Sequence, residues 1–265
     1  MKSRAAVDVI IVGAGAAGLA AAHKLSQLNL TAVILEARHR VGGRILTMKD
    51  DAIPNPIELG AEFIHGRPDP LFTVIRDAEL DFHQTSGDRW SCRGAALVKG
   101  SEVEDAWEEI SKEMKRRRPA EQSFQQFIQS ASADERQKGL ATRYVEGFHA
   151  ADPDRVSLES LVLENEASKR VNGEKLFRLE GGFGALMEWY ARTISARIQL
   201  GKCVRTIRWS REGVTAESTT EDSNESETVS ARAAIVTVPL PMLQGGEGAA
   251  SIRFEPDLPE KRAAA

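Results

Sequence analysis

The stretch from residue 9 to residue 44, VIIVGAGAAGLAAAHKLSQLNLTAVILEARHRVGGR, restricts what this chain can fold into more than any other part of it. Residues 7–12 form a short apolar, β-branched run that suits a strand buried in a parallel sheet. Glycines follow at once. Gly13 permits a tight turn off the strand, Gly15 has no side chain to block a phosphate nearing the backbone, and Gly18 lets the next helix lie close to the sheet. Residues 16–28 are rich in Ala and Leu, which favour a helix. Asn29 tolerates the left-handed geometry that ends one. Residues 31–35 then make a second strand that delivers Glu36 to its carboxyl end. The helix start, Ala16 included, offers free amides and a positive dipole end to an anion. A carboxylate at 36 can accept hydrogen bonds from both hydroxyls of a ribose and would repel a 2′-phosphate. A plain strand-to-helix turn would leave three spaced glycines and Glu36 without a purpose. The pattern predicts a dinucleotide site that disfavours NADP.

A second turn, Gly42-Gly43-Arg44, follows the acidic residue. The run 35–47, LEARHRVGGRILT, resembles the signature of the flavin-containing amine oxidases, the family of monoamine, polyamine and L-amino acid oxidases. The resemblance implies FAD, with Gly13, Gly15, Ala16, Gly18, Glu36, Ala37, Arg38, Gly43 and Arg44 against it. In that family the arginine after the glycine pair approaches the pyrophosphate, where a guanidinium adds a charge-assisted contact. The alternative for Arg44 is a solvated surface turn. An NAD dehydrogenase would give Gly42–Arg44 no duty. Further matches occur in order. Residues 58–66, ELGAEFIHG, resemble the stretch beside the flavin ring, which implies contacts from Gly60, Ala61, Glu62 and Phe63. Gly60 and Ala61 are small enough for backbone to approach the isoalloxazine. Residues 178–191 resemble a glycine-pair segment leading into a helix, and residues 203–207 the strand whose Val204 backbone contacts the adenine. Residues 233–243 resemble the crossing back to the substrate domain, and residues 251–261 the segment after it. Desaturase and protoporphyrinogen oxidase relatives share the first loop and the Gly-Gly-Arg turn, so 58–66 tips the choice toward amine oxidases.

The implied chemistry is amine oxidation by hydride transfer to flavin N5, with dioxygen as the final acceptor and hydrogen peroxide as product. His65 occupies the position where polyamine-oxidase-like relatives have a substrate-facing histidine; its other reading is a ring that caps a loop carbonyl. Phe63 stands where the family often has Trp, and Glu62 meets either a cationic substrate or solvent. No catalytic nucleophile or metal set is expected: His23, His39, His83 and His149 are scattered without ligand spacing. Family members continue past the end of this chain with a flavin-facing lysine and substrate-sandwiching aromatics; Lys261 lies too early to be that lysine. The chain is thus expected to be incomplete at its C-terminus, and a catalytically incompetent remnant is the runner-up.

The remaining bounds are loose. The 265 residues carry 35 Lys+Arg against 39 Asp+Glu, a formal charge of −4, which predicts neither nucleic-acid nor anionic-membrane binding. Cys92 and Cys203 match no metal or redox spacing and suit a reducing compartment. Residues 1–6 are too short and polar for a signal peptide, and no apolar run could span a bilayer, so the expected location is cytoplasmic. The partners are a small-molecule amine and dioxygen; the oligomeric state stays open. Val103, Trp107, Ile110 and Met114 make one helical stripe, with three shorter helices expected around 124–128, 140–148 and 158–162. Their aromatics, Tyr144 and Phe148 included, are expected in the core. Residues 217–227, ESTTEDSNESE, read as a mobile hairpin loop. The fold class is α/β: a Rossmann-like FAD-binding domain of the glutathione-reductase type with an inserted, largely helical substrate domain. Its expected segments are 1–80 (FAD-binding), 81–173 (helical, substrate), 174–240 (FAD-binding) and 241–265 (start of a second substrate segment).

Overall fold

The computed structural model describes residues 7–85, 87–88, 90–118, 121–220, 223–244 and 251–264. In chain order the elements are β1 (Val7–Val12), α1 (Ala16–Gln27), β2 (Ala32–Leu35), β3 (Thr47–Asp50), β4 (Ile53–Glu58), β5 (Ile64–His65) and α2 (Asp69–Asp77). Then come β6 (Phe82–Gln84), β7 (Trp90–Arg93), β8 (Ala96–Lys99), α3 (Glu102–Arg117), α4 (Phe124–Gln129), α5 (Glu135–Gly147) and α6 (Leu158–Arg170). The rest are β9 (Leu176–Leu179), α7 (Gly182–Thr193), β10 (Arg197–Gln199), β11 (Lys202–Ser210), β12 (Gly213–Thr220), β13 (Ser223–Val236), β14 (Arg253–Glu255) and α8 (Pro259–Ala264). The chain forms two compact units: residues 1–62, 73–82 and 179–265, and residues 63–72 and 83–178. Residues 241–265, expected to open a second substrate segment, fall in the first unit, where β14 pairs in parallel with β11.

The first unit is built on a seven-stranded sheet in the order β10-β2-β1-β13-β12-β11-β14. Its β10-β2-β1-β13 part is parallel. β1 and β2 can be continuous apolar runs because they lie inside: Ile10, Ile11, Ile34 and Leu35 are at most 1% exposed. Helix α1 stops where Asn29 turns left-handed at φ 56. It packs against α7, with His23 in ring contact with Trp189 and Tyr190, which makes that histidine a packing residue.

Residues 217–227, expected to be a hairpin loop, do lie on the β12–β13 hairpin, but the strands take in 217–220 and 223–227, pairing Glu217 with Thr228, Ser218 with Glu227 and Thr219 with Ser226. Ser218 is 1% exposed, and Arg208 holds Glu217 at 2.9 Å. Burial alternates along β12 as far as Thr219, as on a half-buried strand, and ladder pairing outweighs the loop-like polarity.

The second unit has a helical core. Ile110 and Met114 of α3, Phe124 and Phe127 of α4, Val145 of α5 and Leu158 of α6 are all within 1% of complete burial. Each such side chain contributes roughly 1.5–3 kcal/mol relative to exposure. Ser123 and Asp134 each close a capping box at the start of α4 and α5. The basic run 116–118 is an ion-paired helix end, with Arg117 on Glu113 and Arg118 on Glu166. This unit also carries the hairpin β7–β8, which the sequence reading of 81–173 as helical passed over.

Candidate functional site: an open helix end and an aromatic chamber

In the first unit the three glycines of the loop do different work. Gly13 sits at φ +104, and its N–H donates to the Leu35 carbonyl at 2.8 Å. A Cβ on Gly18 would stand 1.9 Å from the Gly13 carbonyl oxygen, so helix and loop touch backbone to backbone. A Cβ on Gly15 would meet nothing nearer than the Gly43 Cα at 3.9 Å. Protein packing therefore explains Gly13 and Gly18 and leaves Gly15 facing open space. Gly15 is also the N-cap of α1 and supplies no capping side chain; the first turn holds no acidic residue, and Ala16 and Ala17 are exposed. The orphan amides of that helix end are thus open to an anion.

Glu36 lies at the end of β2, 8% exposed. One carboxylate oxygen accepts the Ala14 N–H at 2.6 Å, the other the Arg38 N–H at 2.9 Å. A carboxylate has about four acceptor positions, so two remain. Its backbone is bound to Gln199 and Lys202, and the Arg38 carbonyl to Gly201, which sets the 36–38 segment beside the start of β11. Val204 on β11 is buried among Ile10, Val12, Val33 and Leu35, and the β11–β12 register shifts between Val204 and Thr206. Ala37 is exposed.

The Gly42-Gly43 turn is fastened from two sides. The Gly42 N–H donates to Ala14 at 2.8 Å, which lays the turn beside the first loop. Arg40 donates to the carbonyls of Val41, Ile45 and Gly43, and Arg38 adds a bond to Gly43. Sequence reasoning missed Arg40; its place between Arg38 and Arg44 was the available signal. Arg44 is exposed, with no carboxylate paired to it among the described residues.

Gly60 has a reason of its own. Its Cβ would come within 2.0 Å of the Arg44 carbonyl oxygen. Leu59 and Ala61 donate to Leu46 at 2.8 Å and Arg44 at 3.3 Å, so residues 59–61 form a ledge laddered onto 44–46. Leu59, Gly60 and Ala61 are exposed, and Glu62 is half-buried.

In the second unit a cavity of about 980 Å³ is lined by His65, Trp107, Tyr144 and Phe148 on one side of its chemistry and by Asp88, Glu104, Glu164 and Glu174 on the other, with Lys169 and Lys175. Tyr144 stacks on Trp107 at 4.7 Å and on Phe148 at 4.8 Å, and Phe148 meets His65 edge-on at 5.4 Å. Phe148 is 51% exposed and Tyr144 half-buried. Tyr144 packs against the helical core as expected while also lining the cavity, and the expectation is corrected at Phe148. Helical periodicity places them on one face of α5 and its end, but the neighbouring elements leave a void over that face. Phe63, 36% exposed, carries the Arg178 guanidinium over its ring at 5.3 Å.

His149 adjoins this aromatic group, 5.3 Å from Trp107. Burial holds its imidazole below the ordinary range, opposed by Glu164 at 3.9 Å. The unfolded chain takes up this proton near pH 6.5 while the folded chain resists it, so the unfolded state binds more protons there and stability falls as pH drops through about 6.5. His149→Gln should flatten the decline of melting temperature between about pH 7.5 and 5.5. An unaltered slope would remove His149 as its source.

Among the described residues no group of three or more His, Cys, Asp or Glu could hold a metal ion, and no helix is long and apolar enough to cross a membrane. The family described as flavin containing amine oxidoreductase matches residues 16–104 and 94–265. The chain is 32% identical to polyamine oxidase 2 of Arabidopsis thaliana, covering 98% of this chain and 55% of that protein. It is 30% identical to polyamine oxidase 4 of Oryza sativa subsp. japonica, covering 97% and 55%. Cyclohexylamine oxidase from Brevibacterium oxydans IH-35A has a similar structure, with a TM-score of 0.78 at 22% identity over 97% of this chain and 62% of that one, a likeness of fold. The chain spans about half the length of the curated relatives it matches.

Proposed function

This chain belongs to the flavin containing amine oxidoreductase family, and from that premise we propose that it holds FAD in its first unit and oxidises an amine, with polyamines the substrate class. The observation that carries the proposal is the uncapped start of α1, where Gly15 leaves a space that a single Cβ would enter. A pyrophosphate fits it: the first-turn amides donate, the helix dipole favours the charge, and Arg44 beyond the Gly43 turn adds a full positive charge. The two free acceptor positions of Glu36 suit the ribose hydroxyls, with Ala37 and Arg38 beside them, and the backbone of Val204 suits the adenine. The 59–61 ledge, with Glu62 after it, is assigned to the ring. When bound, FAD supplies the two-electron acceptor, and dioxygen restores it with release of hydrogen peroxide.

The chamber of the second unit suits the amine. Trp107, Tyr144 and Phe148 offer apolar and π surface to a methylene chain and a cation. Glu104, Glu164 and Glu174 favour the additional ammonium groups of a polyamine, while the nitrogen to be oxidised must shed its proton. His65 can hold that nitrogen by a hydrogen bond from one ring nitrogen, with Phe148 against its ring. The names of the two polyamine oxidases support the class. Two unpaired cysteines, Cys92 and Cys203, favour a cytoplasmic setting.

The test is anaerobic titration of the FAD-loaded chain with spermine, putrescine and benzylamine. Spermine is expected to bleach the yellow chromophore, air to restore it with peroxide, and His65→Ala to weaken the spermine dependence. Failure to take up FAD, or a chromophore that none of the amines bleaches, would defeat the proposal.

A further inference from the structure

We infer that Glu58 and Thr47 are positioning residues of the cofactor site, joining the start of α7 to the ladder that carries Arg44 and the 59–61 ledge. The inference rests on the FAD reading above for its purpose, and on the first unit alone for its geometry.

Helix α7 begins with Gly182, and its N-cap residue Gly181 supplies no capping side chain. Two of its orphan amides are met from far away in sequence. Glu58 accepts the Phe183 N–H through Oε1 at 2.6 Å. Its other oxygen, Oε2, accepts the Thr47 hydroxyl at 2.7 Å. That hydroxyl oxygen in turn accepts the Gly184 N–H at 2.7 Å. One carboxylate and one hydroxyl thus satisfy two amides, and the carboxylate lies where the helix dipole favours negative charge.

The glycines around them form a fitted socket. Gly182 is at φ +73, and a Cβ there would stand 2.6 Å from Thr47 Cγ2 and 2.7 Å from Glu58 Oε1. A Cβ on Gly184 would stand 2.9 Å from the Thr47 Cβ. Gly182 and Gly184 are needed because two side chains from β3 and β4 enter the helix start.

The consequence lies on the other side of those strands. Thr47 follows Leu46, and Glu58 precedes Leu59. Leu46 and Leu59 are joined by the first rung of the ladder, and the next rung joins Arg44 to Ala61. The clamp sits on the Thr47–Glu58 pair, where the β3–β4 hairpin passes into this ladder, and the residues assigned to FAD occupy the ladder's far end. Because Glu58 fills the start of α7, that helix end is closed to an anion, whereas α1 stays open. The molecule thereby directs a phosphate to one of two helix starts.

Glu58→Gln and Thr47→Val are each expected to weaken FAD binding about tenfold, the loss of roughly one charge-assisted hydrogen bond, read by flavin fluorescence quenching. The double variant should lose little more than either single one, because both side chains belong to one unit. Thr47→Ser keeps the hydroxyl and should bind as the parent does. Ile75→Val, a core change on α2 in the same unit, should lower the melting temperature without altering FAD affinity. In the cofactor-free chain, Glu58→Gln should speed hydrogen exchange at Phe183, Gly184, Leu59 and Ala61 together. Unchanged affinity in both single variants, a Thr47→Ser defect equal to that of Thr47→Val, or faster exchange confined to Phe183 and Gly184 would overturn the inference. A parent chain that ignores FAD while its exchange remains coupled would refute the cofactor reading and leave the clamp standing.

Discussion

Gly15→Ala is expected to abolish retention of FAD while moving the melting temperature of the cofactor-free chain by no more than about 2 °C. The backbone at Gly15 is extended, φ −74 and ψ −179, so alanine fits it without strain. Its methyl would find no protein atom closer than 3.9 Å. It would project into the space where the pyrophosphate must approach the first-turn amides, and the loss should exceed about a hundredfold in affinity because several charge-assisted bonds lengthen at once. Gly18→Ala makes the opposite control. Its methyl would overlap the Gly13 carbonyl oxygen at 1.9 Å and crowd Thr237, so helix and strand must part, at a cost of about 1–3 kcal/mol or more. Melting curves with and without FAD, followed by desalting, separate the two effects. If Gly15→Ala kept its flavin, or melted as early as Gly18→Ala, the open helix end would not be the phosphate site.

Glu36→Ala should lower FAD affinity by about two orders of magnitude, with a clear loss of stability even without cofactor. The structure explains this double effect. The carboxylate already accepts the Ala14 and Arg38 amides, and alanine orphans the buried Ala14 amide at roughly 1–3 kcal/mol, while the part-buried Arg38 amide can turn to water at smaller cost. Glu36→Gln should be milder in stability, because its amide oxygen can still accept one of them. Glu62→Ala provides the comparison: Glu62 is half-buried, contributes to neither loop bond, and should cost FAD affinity far less. Calorimetric titration of FAD into the three variants decides the matter; equal losses at 36 and 62 would defeat the ribose assignment.

These two experiments probe the part of the molecule most readable from its sequence. β1 was expected over 7–12 and observed there, and α1 ends one residue earlier than expected, before Asn29. Local chemistry suffices in that stretch: a β-branched run, spaced glycines and one residue tolerant of positive φ. Glu36 was legible as the acid at the end of β2, but its grip on the loop amides was not, because that bond joins residues 22 positions apart.

Elsewhere distance in sequence hides the partner. Residues 217–220 and 223–227 carry a loop-like composition, and only their register with each other and with neighbouring strands makes them sheet. Tyr144 and Phe148 have the spacing of core residues, but whether a helix face meets another side chain or a cavity is set by the elements around it. Glu58 has no role legible in the sequence beyond opening the 58–66 stretch; it caps a helix whose amide lies 125 residues away.

Sequence alone determined the parallel strand-helix-strand unit, its glycine loop, its acidic residue and the family, since each rests on neighbours within a few turns of chain. Tertiary structure alone decided which glycine is needed by the protein and which is left for a ligand, which helix start is filled and which is open, and which aromatics line a cavity. Those outcomes depend on whether a remote atom occupies a given few ångströms of space, a quantity that periodicity and composition do not encode.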